Sequence, residues 1–253
     1  MGGGAMGNND SKHAVILAGG KGVRLRPYTT NIPKPLVPIG DQYAVLEIVL
    51  RQLAFQGFKR ATIAIGHLGT LIRAFVRDGK QFGLDVDYHE EVTPLGTIGP
   101  VIDLLDKLPD HFLLVNGDTL TDLNYAALLE HHIASGAPMT VSTFHRNVQI
   151  DFGVLEDSGG IVTHFVEKPT LFYSVCMGAN AISKSALADY PKKIAFGFDQ
   201  LMLDLLARGT PPATFVFDGI WFDIGRPDDY DEANSRFETL KPILLPGEVA
   251  AQR

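Results

Sequence analysis

Ala14-Val15-Ile16-Leu17-Ala18-Gly19-Gly20-Lys21-Gly22 is a continuous apolar run that stops abruptly in glycines. A run with no polar alternation reads as a strand buried on both faces, the mark of a parallel sheet. The next elements agree with that reading. Val45 to Gln56 carries apolar residues at helical spacing (Val45, Leu46, Val49, Leu50, Leu53) and closes at Gly57, and Ala61 to Ile65 is a second β-like run. A βαβ unit follows.

Further along, the pattern predicts a helix over Leu71 to Asp78, a strand over Asp85 to His89, a helix over Gly99 to Leu105 and a strand over Phe112 to Val115. The expected fold class is α/β, a Rossmann-like, doubly wound, mixed but mostly parallel sheet flanked by helices. Right-handed crossovers then collect the ligand loops at the strand C-termini. The second half is less regular. Thr140 to Phe144, Phe152 to Leu155, Ile161 to Val166 and Thr214 to Phe217 read as strands, and Phe198 to Ala207 as an amphipathic helix. There is no internal repeat and no low-complexity linker.

Composition narrows the function. The 253 residues are 45% hydrophobic and 20% charged, as for a globular chain with one large domain. Lys plus Arg number 22 against 29 Asp plus Glu, a formal charge of -7, which argues against nucleic acid as a partner. A lone Cys176 excludes a disulfide framework and suits a reducing, cytoplasmic setting. No run approaches the roughly 20 apolar residues of a membrane span, so no membrane association is expected. The expected organisation is a disordered tail over 1–12, one domain over 13–245 and a tail over 246–253.

The glycines Gly19, Gly20 and Gly22 follow a strand, where backbone N–H groups can cradle phosphate oxygens because glycine lacks a Cβ and accepts positive φ. Glycines after a strand also make an ordinary tight turn, and the residues alone leave both readings open. A dinucleotide fingerprint fails because Leu25 stands where a third glycine is needed, and a Walker loop fails for want of Gly-Lys-Ser/Thr. Arg24 follows the glycines directly. Lys34 lies between Pro33 and Pro35, and Pro35 biases it to an extended conformation.

Ala14 to Gly40, with its glycine-rich turn, Arg24 and Pro33-Lys34-Pro35-Leu36-Val37-Pro38-Ile39, resembles the signature of the sugar-1-phosphate nucleotidyltransferases. The resemblance runs from Ala14 to about Tyr230. It implies the nucleotide-diphospho-sugar transferase type of fold and a reaction joining a nucleoside monophosphate from an NTP to a sugar 1-phosphate, with release of pyrophosphate. Homo-oligomers are common in that family. The expected end near Leu245 implies no β-helical acetyltransferase domain. Val23 departs from the family's Thr or Ser, which removes a hydroxyl near the triphosphate.

Asp118, in Asn116-Gly117-Asp118, follows an apolar strand, and Asp223 sits in Trp221-Phe222-Asp223-Ile224-Gly225. Each alone reads as a turn or capping residue. Together they offer the hard oxygens that Mg²⁺ requires, and the resemblance implies the same pairing. It further implies a nucleotide site of Leu17, Ala18, Gly19, Gly20, Gly22, Arg24, Pro94, Leu95, Gly96 and Asp118, with Pro94-Leu95-Gly96 against the base. Arg24, Lys34 and Asp118 are the implied catalytic residues. Lys34, Gly153, Glu167, Lys168 and Asn180 are the implied sugar-phosphate residues, Glu167-Lys168-Pro169 being the family's Glu-Lys-Pro.

In Cys176-Met177-Gly178-Ala179-Asn180 the match weakens, since Cys176 stands where many members have Asn and Asn180 where they have Tyr. An unusual or deoxygenated sugar is compatible with that change, and Cys176 is expected to be a packing residue. Pro33 to Asp41 looks most like mannose- or heptose-1-phosphate guanylyltransferases, which favours GTP. Thymidylyl-, cytidylyl- or uridylyl transfer to another sugar, cyclitol or choline phosphate is the alternative, as is a non-catalytic regulatory nucleotide-binding module. The eight His show no zinc spacing and no Gly-x-Ser-x-Gly elbow exists.

Overall fold

The first strand, β1 (His13–Ala18), is buried along nearly its whole length, and its residues alternate between two apolar layers. The computed structural model describes residues 12–251, so the expected tail falls outside it except for Lys12, whose Nζ lies 3.2 Å from Glu130 Oε1. Parallel to β1 run β2 (Arg60–Ile65) on one side and β4 (His111–Asn116) on the other, and β3 (Asp85–Glu90) pairs parallel with β2.

Beyond β4 lie β6 (Thr170–Ser183), β5 (Met139–Gln149) and β7 (Ala213–Phe217), giving the order β7-β5-β6-β4-β1-β2-β3. Within this seven-stranded sheet only β6 runs antiparallel to its neighbours, β4 and β5. The sheet is therefore mixed and mostly parallel, as expected.

Helices cover both faces. Ala14, Ile16, Leu113 and Val115 pack with α1 (Val45–Phe55), α2 (Gly69–Val76) and α4 (Tyr125–Ser135). Val15, Phe112 and Leu114 pack with α3 (Gly99–Leu104) and α5 (Phe198–Ala207). Each fully buried Leu, Ile or Val contributes about 1.5–3 kcal/mol relative to exposure. A third cluster, including Ile39, Ile48, Leu120, Phe222 and Phe237, docks α6 (Pro227–Leu244) beside the ligand edge.

Several expectations are corrected. Helix α4, absent from the sequence reading, is capped by Asn124, whose side chain accepts Ala127 N–H at 2.9 Å, and ends at Gly136 with φ 65°. Helix α6 was also unanticipated. Strand β5 continues well past Phe144, and β6 extends through the Cys176 segment. The expected strand over Phe152 to Leu155 starts at Val154 and forms a hairpin, Val154–Ser158 with Ile161–Val166. The segment expected as a tail over 246–253 contains α7 (Pro246–Ala251), tied down by Glu248, which accepts from Tyr43 Oη and lies 3.4 Å from Arg51. No helix among the described residues is long and apolar enough to cross a membrane.

Candidate active site

Strands β1 and β4 end side by side, and everything that follows depends on their close approach. Gly117 donates to Leu17 O at 2.9 Å, and a Cβ on Gly117 would meet that oxygen at 3.1 Å. Gly19 O accepts from His67 N at 3.3 Å. Gly22 takes φ 59°, a left-handed turn held by Thr29 Oγ1 donating to Gly22 O at 2.6 Å. Val23, Arg24 and Leu25 then form one 3₁₀ turn, burying Leu25 and leaving the Arg24 side chain two-thirds exposed above the edge.

Lys34 was expected to be extended. It is instead the first residue of a 3₁₀ turn, Lys34–Leu36, and the extended residue is Pro33, because Leu36 N–H bonds to Pro33 O at 2.8 Å. That turn aims the Lys34 ammonium inward, where the side chain is only 11% exposed.

The two acids reach the same place by different routes. Asp118 follows β4 directly, whereas Asp223 ends the short strand Trp221–Asp223, which pairs antiparallel with Thr119–Thr121 and sets Asp223 opposite Thr119. Ile224 N–H bonds to Asp118 O at 3.2 Å, closing the pair. Lys34 Nζ forms an ion pair with Asp118 and lies 3.6 Å from Asp223 Oδ1, and Arg24 Nη2 lies 3.7 Å from Asp223 Oδ2. A Cβ on Gly225 would push the Lys34 ammonium out of its present place between the two acids.

Two carboxylates converging on one ammonium define a point already suited to a cation. Among the described residues no group of three or more His, Cys, Asp or Glu could hold a metal unaided. The donor set fits Mg²⁺ nevertheless, which takes one or two carboxylates and completes its octahedron with water and phosphate oxygens.

The loop at Pro94-Leu95-Gly96 is tied to this edge by Glu91, which precedes it by three residues. Its Oε2 accepts Leu95 N–H at 3.0 Å, while its Oε1 lies where a Cβ on Gly19 would come within 2.8 Å. Gly96, at φ 77°, has no room for a Cβ against Phe196 O at 2.7 Å. The Pro94-Leu95-Gly96 loop and the glycine turn thus lie against one carboxylate.

Gly153 and Glu167 lie together on the hairpin, since a Cβ on Gly153 would come 3.1 Å from Glu167 Oε2. Lys168 holds φ 45°, left-handed and uncommon for a side-chain-bearing residue. All three are exposed. Asn180 is not: alternation along β6 turns it into the layer with Leu114, 4% exposed, with Oδ1 lacking a hydrogen-bond partner. Asn180 is thus the buried member of the implied sugar-phosphate set. Cys176, expected to pack, is exposed: it ends the largely exposed half of β6, before the bulge of Met177 to Ala179 that separates its pairing with Thr143 from that of Asn180 with Val141. Desolvation raises its thiol pKa, so it is no activated nucleophile.

The family model described as "Nucleotidyl transferase" matches residues 13–239. Mannose-1-phosphate guanyltransferase of Schizosaccharomyces pombe is 29% identical over 225 residues, 86% of this chain and 62% of that protein. The chain thus spans about three fifths of that relative's length. UTP–glucose-1-phosphate uridylyltransferase of Synechocystis is 31% identical over 258 residues, 92% of this chain and 66% of its own. The crystal structure of HddC from Yersinia pseudotuberculosis superposes with TM-score 0.70 at 28% identity, covering 89% of this chain and 99% of that one, and HddC complexed with GMP-PN matches equally well. With the glycine turn, Lys34 and the carboxylate pair on one sheet edge, the chain belongs to the nucleotidyl transferase family.

Proposed function

We propose that this chain transfers a nucleoside monophosphate from GTP to a mannose- or heptose-like sugar 1-phosphate, releasing pyrophosphate. The observation that carries the reading is the Lys34 ammonium between Asp118 and Asp223 at the foot of the glycine turn. A sugar-phosphate oxygen attacks the α-phosphorus in line, the bond to the bridging oxygen breaks, and that oxygen leaves with pyrophosphate. Both reactants are anions, so the residues must orient them and neutralise charge, with no covalent nucleophile needed.

In this account the backbone from Leu17 to Gly22 receives the triphosphate, Arg24 takes the leaving phosphates and Lys34 meets the reacting centre. Asp118 and Asp223 would hold Mg²⁺, which supplies Lewis-acid neutralisation of phosphate charge. Pro94, Leu95 and Gly96 lie against the base. Gly153, Glu167 and Lys168 receive the sugar and its phosphate.

The preference for GTP rests on Pro33 to Asp41 and on the guanyltransferase relatives. The uridylyltransferase relative keeps UTP as the second reading. Product analysis after incubation with equimolar GTP, UTP, dTTP and CTP, Mg²⁺ and mannose 1-phosphate decides between them. A GDP-sugar as main product is expected. A UDP-sugar alone would overturn the GTP assignment.

A further inference from the structure

The backbone of Asp223 is bonded to a carboxylate on α6. Asp229, third in α6, is 8% exposed. Its Oδ2 accepts the backbone N–H of Asp223 at 3.0 Å and a guanidinium N–H of Arg146 at 2.6 Å. The second Arg146 nitrogen sits 3.4 Å from Asp229 Oδ1, so the pair is two-pronged. The same guanidinium lies 4.7 Å from the ring centroid of Trp221, whose Nε1 donates to Met177 O at 3.1 Å.

The strand Trp221–Asp223 is therefore gripped at its first residue through the indole and at its last through the backbone. A nearly buried carboxylate is costly unless paired, so Arg146 is what allows Asp229 to stand behind Asp223. Asp223 Oδ1 accepts Gly225 N–H at 2.9 Å, which fixes the carboxyl plane and leaves Oδ2 facing Arg24 at 3.7 Å. Rotation of the Asp223 backbone would swing both oxygens away from Asp118 and Lys34.

We propose that Asp229, anchored by Arg146, is the positioning residue that holds the Asp223 carboxylate in metal-binding orientation. The proposal rests on the reading of Asp118 and Asp223 as metal ligands, so its test includes Asp223→Asn as a reference. Water-proton relaxation enhancement by Mn²⁺ in the presence of GTP reports metal bound on the protein without turnover. Steady-state kinetics supply the Mg²⁺ half-saturation and the KM of each substrate.

Asp229→Ala should weaken Mn²⁺ binding and raise the Mg²⁺ half-saturation by about 10–100-fold, with KM for sugar phosphate nearly unchanged. Asp229→Asn, which keeps an oxygen for the Asp223 N–H, should recover part of the loss. Wild-type Mn²⁺ affinity in folded Asp229→Ala, with Asp223→Asn impaired, overturns this proposal alone. Unchanged affinity in Asp223→Asn as well overturns the metal reading and the proposal together. Should Asp229→Ala fail to fold, Arg146→Met takes its place: several-fold weaker Mn²⁺ binding is expected, and wild-type binding would contradict the proposal.

Discussion

Lys34 sets the electrostatics of the site, for among the described residues its ammonium alone lies within ion-pair distance of both Asp118 and Asp223. Lys34→Met would leave the carboxylates without their internal cation and the reacting phosphates without a donor. Turnover at saturating substrate should fall about 10²–10³-fold, the loss typical of one preorganised donor to developing charge. The Mg²⁺ half-saturation should not rise, because a competing cation has gone. Kinetics across a Mg²⁺ titration check both, and a wild-type kcat would remove Lys34 from the reacting centre. Lys168 is held at φ 45°, a conformation that a side-chain-bearing residue keeps only where its surroundings impose it. Lys168→Ala should raise KM for the sugar phosphate more than KM for the NTP. Equal effects on both would refute its assignment to the acceptor.

At the scale of elements, His132 joins α4 to the sheet. Its ring contacts Thr140 Oγ1 on β5 and Ser183 Oγ on β6, each at 3.0 Å. Burial, then the neighbouring His111, push its pKa down to about 4 from 6.5. Buried His13 on β1 is lowered to about 4 as well, burial again leading. Both are neutral when folded, so their contribution is whole above the unfolded value and is lost as pH falls from there toward about 4, where the unfolded chain binds more protons. The melting temperature should drop between pH about 7 and about 5, and His132→Gln should flatten that slope; a pH-independent melt would contradict the account.

The same elements explain what was legible beforehand. The β1 run and the α1 spacing are strong signals because one side is continuous burial and the other a clear stripe. Helix α4 reads Tyr-Ala-Ala-Leu-Leu-Glu-His-His-Ile-Ala-Ser, apolar nearly all round, so its period is blurred, although Asn124 and Gly136 were available as caps. Helix α6 is so polar that its buried stripe of Tyr230, Ala233, Phe237, Leu240 and Leu244 hides among charges. The Asp118 and Asp223 pair could be read from strand ends. Glu91 and Asp229 could not, since their roles come from contacts across the fold, to Leu95 and Gly19 for the first and to Arg146 for the second. The burial of Asn180 was not legible, because a bulge in β6 resets which face the residues beyond it present.

For the whole molecule, a net charge of -7 means that anionic substrates are drawn by a local site rather than by an overall field. The cations of that site, Arg24 and Lys34, stand on the turns that follow β1, and the acids Asp118 and Asp223 are delivered by β4 and the ribbon beside α6. Only the assembled edge brings them together, and no single motif holds all four. The most direct test is pyrophosphate release with Mg²⁺, across GTP, dTTP, CTP, UTP and ATP against a panel of sugar 1-phosphates, for the wild-type chain and Asp223→Asn. The account predicts release that requires both substrates, is greatest with GTP and a mannose- or heptose-like acceptor, and falls at least about 100-fold in Asp223→Asn while its melting temperature is retained. Silence across the panel from folded protein that still binds an NTP, or full activity in Asp223→Asn, would contradict it.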